Sequence, residues 1–499
     1  MTLRSENTFR HFQPIGSLWG RALLLTMLVA LLAGCSMVHH EIEAPLAVPE
    51  RFSASGGAPL PDRWWTSFED SVLNGLVDQA LTNNFDLKAA WDRLSQAEAL
   101  VRSAGAELYP ALDAEADVSR TRFRDDGLTD SNSVYSLGLV ASYEVDLWGR
   151  IRSSRDAAEF DRLASAEDLR AAALTLSAEV AGSWYQLVEQ YGQLNVLDAQ
   201  IVTNEKVLEL VTLQFRTGQV GIADMLQQRQ LVESNRGEKA QVAAQVGVLE
   251  HHLAILLGAS PQQTVAPRIA ALINLPPMPQ SGLPAELIQC RPDIRSAYFS
   301  VKAADSELAA AIADRFPRLS LTAGIDTTTG HVRDLFDNWL ATLAANLAAP
   351  IIDGGSRRAE ADRTRAVASE ALNAYGQTIL DALGEVEDAL AQEQRQREFI
   401  ASIDKQLTLA GQVVDRLRDR YIQGTVDYQR VLDALLSQQE LQRSLLSARR
   451  DLVQYRIDLC RALGSGWTLE RPEENRSSAS TIADKGNRNA SETRNRNRL

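Results

Sequence analysis

Four segments of the chain alternate apolar and polar residues over ten or more positions. In the first segment the apolar members are Leu112, Ala114, Ala116 and Val118, and the polar members are Asp113, Glu115, Asp117 and Ser119. A period of two places neighbouring side chains on opposite faces, so each segment is predicted to be a strand with one apolar and one polar face. The predicted strands cover about residues 110–122, 134–147, 317–328 and 339–352, and polar loops are predicted at 124–133 and 329–338.

After each pair of strands, apolar residues recur every seven positions. They are Val180, Leu187, Leu194, Ile201, Leu208 and Phe215, and later Ile400, Leu407, Val414 and Tyr421. This spacing is typical of helices that pack as a coiled coil. We expect long helices over about 151–216 and 355–421, each on the order of 100 Å at about 1.5 Å per residue. Return helices are expected over about 222–258 and 427–463, and no proline interrupts any of the four.

The order of these elements occurs twice. Tyr109-Pro110 returns as Phe316-Pro317 after 207 residues, and Phe215-x-x-Gly218 returns as Tyr421-x-x-Gly424 after 206 residues. Two offsets that agree to within one residue predict two copies of one unit, at about 62–262 and 284–468. Each copy opens with a helix, over about 73–107 and 293–314. A proline-rich connector, 263–283, joins the copies. The predicted fold class is therefore α+β and mainly α, built from two repeats.

The first residues have the pattern of a secretory signal. Arginines precede a short apolar run, Ala22 to Leu32, which ends in Ala33-Gly34-Cys35. The run is too short to span a bilayer, so residues 1–34 are predicted to be a signal peptide. The ending resembles the bacterial lipoprotein box, which implies that Cys35 carries acyl chains and that 35–61 is a lipidated N-terminal segment. The alternative is an ordinary signal peptide that happens to contain a cysteine.

Charge and composition exclude several classes of function. A net charge of −14 leaves no basic face for nucleic acid. The six histidines form no metal-binding pair, and no nucleophile or phosphate-binding motif is present, so no metal, no cofactor other than the lipid on Cys35, and no enzymatic activity are expected. The tail, 469–499, is rich in Ser, Asn and Arg and is predicted to be disordered.

Four amphipathic strands are too few for one chain to close a membrane barrel, because single-chain barrels have at least eight. Open strand edges are not tolerated in lipid, so strands from several chains must combine. We expect an obligate oligomer whose polar strand faces line a lumen and whose apolar faces contact lipid. The long helices then extend the barrel on one side of the membrane.

Several motifs, in this order, resemble the TolC-like outer-membrane factors, in their lipoprotein efflux branch. They are Trp64-Trp65-x-x-Phe68-x-Asp70, Ala80-Leu81-x-x-Asn84-x-Asp86-Leu87 and Asp146-Leu147-Trp148-Gly149-Arg150, with the duplicated motifs above. The resemblance covers residues 35 to about 468. It implies a homotrimer with a barrel in the outer membrane and a coiled-coil tunnel in the periplasm. It also implies two partners, a periplasmic adaptor and a proton-driven exporter of the inner membrane.

In this family the periplasmic tip of the tunnel is the gate. The matching positions here are Asp224, Tyr421 and Asp433, with Arg430 as an available partner for Asp433 on the same helix face. The alternative is that these are solvated charges on the coiled-coil flanks. The predicted hairpin tips contain Phe215 and Gly218 in the first copy, and Tyr421 and Gly424 in the second; they either dock the adaptor or only end the helices.

The resemblance implies the passive exit duct of a tripartite pump that exports drugs or other small toxic compounds. Two alternatives remain. The duct could serve a protein-secreting (type I) system, or the chain could be a structural coiled-coil lipoprotein that tethers envelope layers. The second alternative leaves the four alternating segments unexplained.

Overall fold

The computed structural model describes residues 45–125, 128–464 and 466–471. Its elements follow one order twice: two helices, two strands and two long helices. The first copy contains α1 (Ser71–Asn83), α2 (Phe85–Ala106), β1 (Ala111–Asp125), β2 (Leu128–Val145), α3 (Arg150–Arg216) and α4 (Ile222–Leu256). The second contains α5 (Pro284–Cys290), α6 (Pro292–Ala313), β3 (Arg318–Thr329), β4 (Leu340–Ala348), α7 (Ser356–Ile422) and α8 (Tyr428–Leu463). Short 3₁₀ turns lie at Trp64–Phe68 and Val332–Asp334.

The four strands form one antiparallel sheet in the order β1-β2-β3-β4. Strands β1 and β4 are therefore its two edges, and each has one side without a partner strand within this sheet. The register pairs Glu115 with Gly138, and Gly138 with Asp326, so the polar positions of neighbouring strands share one face. The same register puts Leu112 beside Ala141 and Val118 beside Tyr135 on the opposite, apolar face.

The first hairpin is longer than the sequence predicts. Strand β1 continues to Asp125 and β2 begins at Leu128, so most of 124–133, predicted to be a polar loop, is strand. The prediction was wrong because it followed the apolar alternation, whereas backbone hydrogen bonds extend the ladder through Ser, Thr and Arg residues. Strand β4 ends at Ala348, short of the predicted 352, near Pro350, which has no N–H to donate.

The long helices α3 and α7 each contain 67 residues. At about 1.5 Å per residue each extends for roughly 100 Å. Helices α4 and α8 return alongside them, so each copy contains one antiparallel helical hairpin. The turns contain Gly218 and Gly424, whose φ angles of +77° and +69° lie in the left-handed region that favours glycine.

The helix predicted over 73–107 is two helices with a break at Asn84. The Asn84 side chain accepts a hydrogen bond from the Leu87 N–H at 3.0 Å and donates one to the carbonyl oxygen of Leu256, also at 3.0 Å. It caps α2 and ties it to the end of α4. The corresponding break in the second copy lies at Arg291.

The main core lies where the short helices pack on the middle of α3. Trp64 and Trp65 are almost completely buried in it. The indole of Trp64 donates a hydrogen bond to Oγ of Ser177 at 3.0 Å, and the indole of Trp184 donates one to Oδ2 of Asp70 at 2.9 Å. Both indole N–H groups are thereby satisfied, as buried tryptophans require.

A buried ion pair fixes the proline-rich connector to the second hairpin. The guanidinium of Arg456 donates two hydrogen bonds to Glu393, at 2.8 and 2.5 Å, and two more to the carbonyl oxygens of Pro276 and Pro277. The two charged side chains are 1% and 0% exposed. Such a pair offsets its desolvation cost only when its remaining N–H donors are also hydrogen-bonded. Here the connector carbonyls accept those bonds.

None of the helices in the described ranges contains a stretch both long and apolar enough to cross a bilayer. The predicted signal peptide 1–34 and Cys35 lie outside the described residues, as does the tail from 472 onward. Those predictions stay predictions.

Candidate functional site: the helical hairpin tips

Each hairpin tip is a short turn whose return helix begins with an aspartate cap. In the first tip, Oδ2 of Asp224 accepts a hydrogen bond from the Gly221 N–H at 3.1 Å. In the second, Oδ1 of Asp427 accepts one from the Arg430 N–H at 3.2 Å. A carboxylate at the start of a helix also interacts favourably with the helix dipole. Asp224, predicted as a gate residue, therefore has a structural role in its own turn.

The two tips are joined by hydrogen bonds from two tyrosines. The phenol of Tyr421 donates to Oε1 of Gln214 at 2.9 Å, and the phenol of Tyr428 donates to Oε1 of Gln228 at 2.5 Å. The Gln228 amide in turn donates to the carbonyl oxygen of Asn204 at 2.8 Å. We call the four side chains Gln214, Gln228, Tyr421 and Tyr428 the tip clasp.

Apolar packing surrounds the tip clasp. The two tyrosine rings lie 5.6 Å apart at an angle of 58°. Tyr428 belongs to a small buried cluster with Val211, Leu231 and Leu432, against which Tyr421 also packs. Residues from both hairpins form this cluster, so separating the tips would expose apolar surface as well as break hydrogen bonds.

Burial raises the pKa of the Tyr421 phenol, and the carboxylate of Asp224 raises it further. The pKa of Tyr428 is raised in the same direction, first by burial and then by Tyr421 and Asp224. Both phenols therefore stay protonated, and able to donate, at neutral pH. The Asp224 carboxylate therefore favours the protonated, hydrogen-bond-donating form of both phenols.

Asp433 is exposed and accepts a hydrogen bond from the Gln429 amide at 2.8 Å. In the single chain the Arg430 guanidinium has no carboxylate oxygen of the described residues within 4.0 Å, and its backbone N–H donates to Asp427. Its role as a partner for Asp433 in the assembled channel stays a prediction. Gln429 is one full turn before Asp433, so its amide reaches the carboxylate directly. Phe215 is half-buried and Gly218 and Gly424 lie in the turns, as predicted tip residues should.

Sequence reasoning missed the polar residues that lie between the two hairpins. Gln439 donates to Oδ1 of Asn204 at 3.1 Å, and Gln200 donates to the Gln439 carbonyl oxygen at 3.1 Å. Nearer the core, Oε1 of Glu189 accepts hydrogen bonds from Gln193 and Ser447. The sequence did contain a signal for these residues, because polar residues at the core positions of a coiled coil fix the register of its helices.

A second candidate region is the polar face of the sheet. Asp113, Glu115 and Asp117 alternate along β1, and Asp326 lies on the same face of β3 through the rung formed by Glu115 and Gly138. This concentrates carboxylates on the face opposite to the apolar one.

Comparison with known proteins identifies the architecture. Residues 76–259 and 283–465 match the model of the family described as outer membrane efflux protein, one match for each repeat. The chain belongs to this family. Its mainly helical fold, its two repeats and the barrel-and-tunnel arrangement of the family are as the sequence predicts.

Two curated relatives of this family member cover nearly its whole length. The pyoverdine export outer membrane protein OpmQ of Pseudomonas aeruginosa is 33% identical over 462 residues, which is 88% of this chain and 96% of the relative. The cation efflux system protein CusC of Escherichia coli O6:H1 is 31% identical over 466 residues, covering 89% and 98% respectively.

Solved structures of family members agree with this assignment. The outer-membrane channel OprN superposes with a TM-score of 0.79 at 27% identity, over 86% of this chain and 99% of that one. A CusC crystal structure gives a TM-score of 0.78 at 28% identity, over 87% and 100%. The chain is an outer-membrane efflux channel with a periplasmic extension, and channels of this family work as trimers with a periplasmic adaptor and an inner-membrane pump.

Proposed function

We propose that this chain forms the passive exit duct of a proton-driven tripartite pump that exports drugs or other small toxic compounds. The observation that carries the proposal is the pair of 67-residue helices joined directly to one four-stranded sheet. A sheet with two open edges needs neighbouring chains, and three such sheets can close into one barrel. The helical hairpins then continue the barrel as a tunnel of roughly 100 Å.

The cargo class is supported by the relatives. OpmQ is named for pyoverdine export and CusC for cation efflux. Neither name refers to a secreted protein, which favours small-compound efflux over the alternative of protein secretion. The choice of compound then belongs to the inner-membrane exporter, and the duct supplies only the passage.

The duct has no catalytic role in this proposal. Its residues act by lining the lumen and by holding the tunnel closed at rest. The tip clasp holds the two hairpins of each subunit together. Three copies of Asp433 around an axis would attract cations at the constriction. The hairpin tips, with Phe215 and Gly218 in one and Tyr421 and Gly424 in the other, present the surface on which the adaptor docks.

A complementation experiment tests the proposal. The gene is deleted in its own host, and the full-length chain or an empty vector is supplied, with the adaptor and exporter left intact. We expect the deletion strain to accumulate a fluorescent pump substrate, such as ethidium, and the full-length chain to restore efflux. Unchanged dye accumulation together with loss of a secreted protein would contradict the proposal and favour a type I system.

A further inference from the structure

Three arginines lie at alternate positions near the end of β1. Arg120 and Arg122 pair across the hairpin with Ser133 and Ser131 of β2, and Arg124 pairs with Thr129. Alternate residues of a strand share a face and are spaced by roughly 7 Å. We call Arg120, Arg122 and Arg124 the arginine row.

The arginine row continues the apolar face of the sheet. It follows Leu112, Ala114, Ala116 and Val118 in the same even-numbered alternation. The apolar side chains of Leu112 and Val118 on this face are 69% and 71% exposed in the single chain. In the proposed barrel this face contacts lipid, so the arginine row also faces the membrane.

Two tyrosines of β2 indicate where the arginine row lies relative to the membrane. Tyr135 and Tyr143 lie at the two ends of the apolar stretch of β2, and tyrosines occupy both interfaces of outer-membrane barrels. The helices adjoin the Tyr143 end, so that end is periplasmic and Tyr135 marks the outer interface. Val118 pairs with Tyr135, and Arg120 lies one rung farther out on the same face.

Above Tyr135 the sheet narrows to a two-stranded ribbon. The pairing of β2 with β3 ends at Tyr135 and Thr329, whereas β1 and β2 remain paired as far as Asp125 and Leu128. The ribbon therefore projects into the layer of headgroups that lies outside the hydrocarbon. The arginine row is its membrane-facing side.

No carboxylate among the described residues pairs with the arginine row. Arg120, Arg122 and Arg124 are exposed, and within the described part of the chain none lies within 4.0 Å of a carboxylate oxygen. The whole chain has a net charge of −14, so a cluster of three cations on one face stands out from its acidic surface. A guanidinium offers a planar fork of donors that fits phosphate with two parallel hydrogen bonds.

We propose that the arginine row binds the phosphate groups of lipopolysaccharide, the phosphorylated glycolipid of the outer leaflet. The inference rests on the proposed function, in which the strands span the outer membrane. Binding at this height fixes the vertical position of the barrel and supplies the cations that the clustered phosphates need. Each subunit of the trimer contributes one row.

The test measures lipopolysaccharide bound to the purified full-length trimer by native mass spectrometry. The natural chain is compared with R120A/R122A/R124A and with R120K/R122K/R124K, and Arg333→Ala, an exposed arginine of the second hairpin, is the matched control. The purified proteins are also incubated with vesicles of lipopolysaccharide, of dephosphorylated lipopolysaccharide or of phosphatidylglycerol, with and without millimolar inorganic phosphate.

We expect the alanine variant to retain about tenfold less lipopolysaccharide than the natural chain, because charge-assisted arginine–phosphate bonds are lost. The lysine variant should lie between them, and Arg333→Ala should match the natural chain. Equal retention by the alanine variant, equal binding to dephosphorylated lipopolysaccharide or to phosphatidylglycerol, or full displacement by inorganic phosphate would overturn the inference.

Heat-modifiable migration of the trimer on gels separates the two proposals. If the natural chain forms no trimer, the proposed function itself fails. If the natural chain is trimeric and only the alanine variant fails to assemble, the arginines pair with a neighbouring subunit, and the lipid inference alone is overturned.

Discussion

The phenol of Tyr421 donates a hydrogen bond to Gln214, a residue 207 positions earlier on the other helical hairpin. The counterpart of Tyr421 in the first repeat is Phe215, which has no hydroxyl group. Phe215 therefore cannot donate the equivalent bond from the first hairpin to the second. The duplicated chain has two similar hairpins, but only the second one contributes this tyrosine donor to the tip clasp.

Removing that hydroxyl is expected to loosen the resting channel. A hydrogen bond of this kind contributes about 1 kcal/mol, which corresponds to about a fivefold change in a closed-to-open equilibrium. We predict that Tyr421→Phe raises the leak conductance of the purified trimer about fivefold. Tyr421→Ala should raise it further, because ring packing is also lost. Tyr109→Phe, at an exposed tyrosine outside the tips, is the control. An unchanged leak in both Tyr421 variants would show that the tip clasp does not close the channel.

Asp433 is expected to control block of the pore by cations. Three copies related by symmetry would hold like charges near one axis, where a divalent cation is attracted. We predict that Asp433→Ala raises the concentration of Mg²⁺ needed for half-block by about tenfold, since its main anionic ligands are removed. The control is Asp404→Ala, because that carboxylate already pairs with Arg449 at 3.6 Å. The same shift in both variants would mean a diffuse charge effect and no specific site.

Local periodicity made most of the fold predictable. The period of two in residues such as Leu112 and Asp113, and the period of seven from Val180 to Phe215, are signals carried by neighbouring residues. The break at Asn84 was missed because it depends on the Leu256 carbonyl, which comes 172 residues later in the chain. Contacts of that range leave no trace in a local pattern.

The site was predictable in place but not in detail. The turns at Gly218 and Gly424 were found from their sequence spacing. Tyr428 was not, although it donates to Gln228 as Tyr421 does to Gln214, because a single tyrosine beside a turn has no distinctive spacing. The cap that Asp224 forms on its own helix was also missed, because it depends on the backbone conformation of the turn at Gly221. The gate role of Asp224 stays a prediction.

The buried pair of Arg456 and Glu393 is expected to be needed for stability. Removing one member of such a pair leaves an uncompensated charge and costs about 3–5 kcal/mol. We predict that Arg456→Met markedly lowers the thermal unfolding temperature of the trimer. The matched control is Arg395→Met, since Arg395 pairs with Glu398 at the surface, where such pairs contribute about 0–1 kcal/mol. Similar unfolding temperatures for the two variants would contradict the role of the buried pair.

The same pair determines the direction of one pH effect. Burial alone would raise the pKa of Glu393, but hydrogen bonds from Arg456 and Arg397 outweigh it and hold the pKa below its ordinary value. A lowered pKa means that the stabilisation is present above the pKa of the unfolded state, about 4.3, and is lost as the pH falls through the folded-state value. The natural trimer should therefore lose stability below about pH 4 more steeply than Arg456→Met does.

Cys35 is predicted to carry lipid, because Leu32-Ala33-Gly34-Cys35 ends the apolar run of the signal sequence. Mass spectrometry of the mature protein should find an acylated cysteine at the N-terminus. Since the barrel anchors itself once it has formed, Cys35→Ser should slow delivery to the outer membrane more than it reduces final efflux. An unmodified N-terminus at another residue would refute the lipid anchor.

The most direct test of the duct is the conductance of the purified full-length trimer in a planar lipid bilayer. The polar face of the sheet carries Asp113, Glu115, Asp117 and Asp326, and rings of carboxylates select cations. We predict stepwise conductance with K⁺ more permeant than Cl⁻, and weaker selectivity when Glu115 and Asp117 are changed to Gln and Asn. A homogeneous trimer that inserts but passes no current, or one that prefers Cl⁻, would contradict the account.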